Sequence, residues 1–211
     1  MIQGAIIGMV AALVMVVITA VRNNKGGKKI MAALDAGDPT AARAALDTYA
    51  KPPTAKVRAG QMPIMIERFA WLGIIGDLDT LESEYRSLNV SNKGVAYQLR
   101  TQAITSLLAH RTNPADLEEL QALYEDIQAN GGAMLGLIKK LVTAHLGVAR
   151  GLQGVAIDPA HLTALNKRSQ ALGPGTTIML QRFIARSVEA VGMDPSQHNT
   201  VIASVLSRLR K

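Results

Sequence analysis

Apolar and polar residues follow one another along most of this chain with the period of an α-helix. In 95–108, Val95, Leu99 and Ala103 fall on one face, with Ala96, Ile104, Leu107 and Leu108 beside them. In 134–149, Met134, Ile138, Leu141, Val142, His145, Leu146 and Ala149 recur at i, i+3, i+4 and i+7 spacing. No run of period-two alternation is long enough to predict a strand, so the predicted fold class is all-α. Ala, Leu, Ile, Val and Met supply nearly all the apolar content, which suits closely packed helices.

The pattern is broken at one end. Ile2 to Val21 is an uncharged apolar run of 20 residues, followed at once by Arg22, Lys25, Lys28 and Lys29. At about 1.5 Å per residue such a run makes about 30 Å of helix, the thickness of a bilayer's hydrocarbon core. It lacks the basic start, the shorter apolar stretch and the small-residue cleavage site of a secretory signal. The prediction is therefore a single transmembrane helix at 1–21, a basic juxtamembrane tether at 22–29 and a helical domain at 30–211. Lys and Arg collect on the cytoplasmic flank of a membrane helix, so the N-terminus is expected outside and the domain in the cytoplasm. Gly4, Gly8 and Ala12 recur every four residues on one face of this helix, a spacing that lets membrane helices pack closely. Homo-oligomer formation through the anchor is an expectation that follows.

Within the domain the helix starts form a series. Asp38-Pro39, Asp77-Leu78, Asn113-Pro114, Asp158-Pro159 and Asp194-Pro195 each place a capping side chain before a helical stretch. Asp or Asn there accepts hydrogen bonds from free backbone N–H groups, and Pro loses no donor at the first helical position. An apolar helix is predicted before each capped one, over 30–36, 63–75, 95–111, 133–150 and 176–191. About five helix pairs result, spaced by 36 to 45 residues.

Two helices per repeat at that spacing, and most clearly the stretch Ile30-Met31-Ala32-Ala33-Leu34-Asp35-Ala36-Gly37-Asp38-Pro39-Thr40-Ala41-Ala42-Arg43-Ala44-Ala45-Leu46, resemble the tetratricopeptide-like (TPR-like) α-solenoid superfamily. The resemblance implies hairpins that bury their faces on one another and leave an extended groove for a peptide or helix. The alternative is an irregular helical bundle whose helices are well capped.

The net charge of +7 invites a nucleic-acid reading, but its distribution argues against one. Of 23 Lys and Arg, four lie in 22–29 and three close the chain as Arg208, Arg210 and Lys211, which leaves 16 against 16 acids. Aromatic residues are only 3% of the chain, too few for the stacking platforms that accompany basic nucleic-acid grooves. The absence of cysteine excludes disulfides, thiolate metal sites and a cysteine nucleophile.

Candidate chemistry is sparse. His110, His145, His161 and His198 have no partner at metal-ligand spacing, and no catalytic, cofactor or metal residue is assigned. Asp77, Asp79, Glu82 and Glu84, like Asp116, Glu118 and Glu119, fall near predicted helix starts, where negative charge complements the helix dipole. Gly131 and Gly136 are spaced as in a phosphate loop, but Leu137 stands where the Lys would be. Phe69 and Trp71 read as core. The expected function is a membrane-anchored scaffold or adaptor that binds another protein at the cytoplasmic membrane surface. The alternatives are a structural subunit of a membrane complex, and an enzyme or regulatory subunit whose site has no recognisable motif.

Overall fold

The computed structural model describes residues 24–53, 57–130, 132, 135–169 and 173–211. Among them the chain forms ten α-helices. They are α1 (24–35), α2 (Pro39–Tyr49), α3 (Met62–Ile75), α4 (Leu78–Arg86), α5 (Lys93–Leu108), α6 (Pro114–Asn130), α7 (Gly136–Ala149), α8 (Pro159–Ser169), α9 (Pro174–Ala190) and α10 (Ser196–Arg210). All five cap sites stand within two residues of an even-numbered helix start. Asp38 accepts from the Ala41 N–H at 2.8 Å and Asp77 from the Thr80 N–H at 3.2 Å. Gly76 ends α3 in the left-handed region, at φ 87°, with its N–H on the Leu72 and Gly73 carbonyls. A residue with a Cβ would be strained there.

The two helices of each pair have different surroundings. In α3, α5 and α9 the buried residues run on without interruption, from Met65 to Gly73, Thr101 to Leu108 and Gly175 to Gln181. A helix buried all round belongs to the interior. The even-numbered helices bury single stripes, such as Leu117, Leu120, Leu123 and Ile127 in α6 and Val205 and Leu209 in α10. α3, α5, α7 and α9 thus form an inner layer, and the even helices with α1 a partial coat.

The inner layer does not stay open. α3 packs on α5, α5 on α7 and α7 on α9, in sequence order, but α9 also packs closely on α3 and on α5. Gly73 permits this approach, because a Cβ there would lie 2.9 Å from the Met179 methyl of α9. Glu67 of α3 fastens it by accepting from the N–H groups of Gly175 at 3.1 Å and Thr176 at 2.9 Å. The pairs are those the sequence predicts, but the array closes on itself, and the inner helices leave no extended concave groove between α3 and α9.

The membrane expectation is corrected. No helix among the described residues is long and apolar enough to cross a membrane. The longest of them, α6 and α9, have 17 residues and carry charged side chains. The N-terminal transmembrane helix and the single-pass, N-terminus-out localisation are therefore not supported. The stretch 1–21 on which they rested, with Gly4, Gly8 and Ala12, lies outside the described residues, as does Arg22. The tether also reads differently. Residues 24–29 are helical, and Gly26 and Gly27 are buried against the body of the fold. Lys25, Lys28 and Lys29, taken as the cytoplasmic flank of a membrane helix, are the exposed side of the packed helix α1.

Candidate functional site

α1 meets the rest of the protein through glycine. A Cβ on Gly26 would lie 2.5 Å from the Tyr49 ring, and one on Gly27 would lie 3.0 Å from Trp71 and 3.1 Å from Leu209. This close approach seats Ile30 and Met31 in the core and brings the first described helix beside the last. Arg210 of α10 locks the pair by donating from Nε and Nη2 to the two carboxylate oxygens of Asp35, both at 2.8 Å.

Between α1, α10 and the first turn of α9 lies a cleft of about 500 Å³. Its apolar lining residues are Pro174 from α9, and Val201, Val205 and Leu209 from successive turns of α10, of which Val205 and Leu209 are buried. Lys28 rises from the α1 wall beside Asn24, and Arg208 from the α10 wall. Among the described residues neither cation has a hydrogen-bonded or ion-paired partner, and no acidic residue lines the cleft. Thr177 also lines it, but its hydroxyl is turned to the carbonyls of Ser169, at 2.7 Å, and Gly173. The N–H groups of the first turn of α9 are occupied by Glu67 from behind. Any attraction for an anion here comes from the side chains and not from the helix terminus.

The two basic clusters that lie at opposite ends of the sequence thus meet in space. Lys28 of α1 and Arg208 of α10 line one cleft, the other basic residues of the two clusters lie on or at the end of the same two helices, and Arg210 alone of Lys25, Lys28, Lys29, Arg208, Arg210 and Lys211 is ion-paired among the described residues. Because the remainder of the chain is balanced, the excess charge acts as a local field and not as a general property of the surface. Sequence reasoning identified both clusters but not their union, since the contact between Gly27 and Leu209 has no local signature.

The other sequence candidates have structural duties. Phe69 and Trp71 are fully buried core. His145 is buried between α7 and α9, donates from Nδ1 to the Leu141 carbonyl at 2.8 Å and stacks on Phe183. Burial pushes its pKa down to about 3. His198 donates to the Gln181 side-chain oxygen at 2.7 Å, and the Gln181 amide donates in turn to Asn166 and Ser169, which ties α8, α9 and α10 together. Burial lowers the pKa of His198 as well. His161 covers Gly147, where no side chain would fit beneath its ring. His110 follows the end of α5 beside Arg182 and Arg186, and partial desolvation of its ring together with these two charges lowers its pKa. Gly131 lies outside the described residues. No group of three His, Asp or Glu among the described residues could hold a metal ion.

Most of the acids are engaged too, and not only as dipole partners. Glu84 takes the fully buried Arg68 in a two-pronged pair, at 2.6 and 2.5 Å, and Asp47 accepts from the same guanidinium at 2.7 Å. Arg43 bridges Asp47 and Asp77 beside them. Glu82 and Asp116 share Arg111. The sequence offered no sign of the Arg68 network, because its carboxylate partners lie 16 and 21 residues away and not at the adjacent Glu67.

No protein-family model, no curated protein and no solved structure matches this chain. The cleft between α1 and α10 is therefore read from its own geometry.

Proposed function

We propose that this protein is a helical scaffold or adaptor that binds another protein through the cleft between α1 and α10. The observation that carries the reading is the meeting of Lys28 and Arg208, one from each basic cluster, at one cleft. Both cations are exposed and without partners among the described residues, beside the half-buried Pro174 and Val201, and unpaired charge at a cleft edge is what selects a partner of opposite charge. The alternation of a buried first helix with an exposed, capped second one, in the pairs that begin with α3, α5 and α9, supports kinship with tetratricopeptide-like proteins as part of the same proposal. The partner would be held at the edge where α1 and α10 meet and not in a concave groove.

The full chain, tagged and purified from its own cells, is expected to retain a discrete protein partner. A Lys28→Glu, Arg208→Glu double variant should lose that partner while keeping the wild-type circular dichroism spectrum and melting temperature, since both side chains are exposed and without partners among the described residues. Retention of the partner by the double variant would contradict the proposal.

A further inference from the structure

We infer that Arg182 and Arg186 of α9, with His110 in the turn after α5, form a second site, one that takes a phosphate dianion, either free or as a monoester. The site is separate from the cleft between α1 and α10, which draws on the first turn of α9, and it does not depend on the reading of that cleft.

Placement is the first observation. Arg182 and Arg186 stand four residues apart in the second half of α9, so their side chains leave one face of the helix a turn apart. Arg186 reaches across to the end of α5, where Nη1 donates to the Leu108 carbonyl at 2.9 Å and Nη2 to the Thr112 hydroxyl at 2.8 Å. These acceptors bracket His110 in the chain, so the guanidinium is fixed beside that turn and keeps further N–H donors uncommitted. Arg182 is half-buried and has no hydrogen-bonded or ion-paired partner among the described residues.

Charge balance is the second. A guanidinium withdrawn from water is costly unless a counter-charge meets it, and Arg43, Arg68 and Arg111 each meet carboxylates. Arg182 and Arg186 meet none. The chain has 16 Asp and Glu, all of them among the described residues, and none is ion-paired with either arginine. Glu189, a turn beyond Arg186, is exposed and forms no ion pair. The carbonyl end of α5 supplies about half a negative charge, which leaves an excess of about one and a half positive charges from the two arginines. The same excess is felt at His110: desolvation first, and then Arg182 and Arg186, favour its neutral form, and no carboxylate offsets them. Desolvation also presses on the charge of Arg182.

The chemistry of the ligand follows. A carboxylate or a nucleic-acid phosphodiester brings about one negative charge to such a site. A phosphate monoester brings about 1.5 to 2 near neutral pH, with three acceptor oxygens, which matches the excess and can serve two guanidiniums and an imidazole together. The planar donor forks of arginine suit this geometry.

The test is an NMR titration of the His110 ring in the full chain, with inorganic phosphate set against sodium chloride and sodium acetate at matched ionic strength. Phosphate should shift the His110 signals saturably and raise the pKa of its ring, while chloride and acetate should do neither. Arg182→Gln, which removes no internal hydrogen bond, should weaken phosphate binding by on the order of tenfold or more. N-acetyl-phosphoserine amide in a parallel titration identifies the source: tighter binding than phosphate points to a group carried on a chain, and equal or weaker binding to the free anion. Equal shifts with all three salts, no saturable shift with phosphate, or phosphate binding indifferent to Arg182→Gln would each overturn the inference. Should that variant fail to fold, the comparison of the three salts on the wild-type chain decides the question alone.

Discussion

At the scale of single residues, His145 and Glu67 show how the interior handles groups that water would charge. His145 is held neutral by burial, with its Nδ1–H on the Leu141 carbonyl and its ring against Phe183. Its folded pKa of about 3 lies below the ordinary value of 6.5, so on acidification the unfolded chain takes up the proton first. The stability linked to His145 is therefore complete above about pH 6.5 and is lost as the pH falls toward about 3. His198 and His110, also lowered, act in the same direction. Glu67 acts in the opposite one: burial raises its pKa, so its contribution is complete at low pH and fades as the pH rises. The two are separated by substitution. Between about pH 6.5 and about pH 5 the His145 contribution is about 2 kcal/mol, and His145→Phe should flatten the stability profile by roughly that amount. Denaturation curves at both pH values check this, and an unchanged slope in the variant would contradict the buried, neutral imidazole. None of this was legible in the sequence beyond the apolar stripe that holds His145, because the stacking on Phe183 joins residues 38 positions apart.

At the scale of elements, the even helices are where the sequence was most legible, because a cap acts within three residues of itself. Asp158 accepts from the Ala160 N–H at 2.8 Å, and Asn113 and Asp194 serve α6 and α10 in the same manner. Asp158→Ala should cost about 0.5 to 2 kcal/mol in thermal or chemical denaturation and leave the helical content unchanged, and a neutral substitution would show the cap to be idle. The odd helices were legible as apolar segments but not in their mutual arrangement. Glu67 finds its donors 108 and 109 residues away, and nothing in the local sequence announces that α3 and α9 will meet. Gly26 and Gly27 show the same ambiguity. Between two basic residues they read as a flexible linker, yet the lack of a side chain is equally what lets α1 lie against Tyr49, Trp71 and Leu209.

At the scale of the whole molecule, closure changes what the helix pairs can offer. An open array presents its inner helices to a partner, whereas here α3, α5, α7 and α9 pack on one another and the outer helices carry the surface. Two basic clusters far apart in sequence each place a cation, Lys28 and Arg208, at one cleft once α1 docks on α10. Those two unpaired cations are the reason for placing the partner site at the junction of α1 and α10. The most exposed large apolar side chain among the described residues, Leu137 on α7, offers a direct comparison, since it is 83% exposed. A benzophenone side chain introduced in place of Val201, in the cleft, or in place of Leu137 will report on photolysis in cells which surface a partner covers. The account predicts a discrete protein crosslink from position 201 that disappears with Lys28→Glu and Arg208→Glu, and none from position 137. A crosslink from position 137 alone, or one from position 201 that survives the two charge reversals, would contradict it.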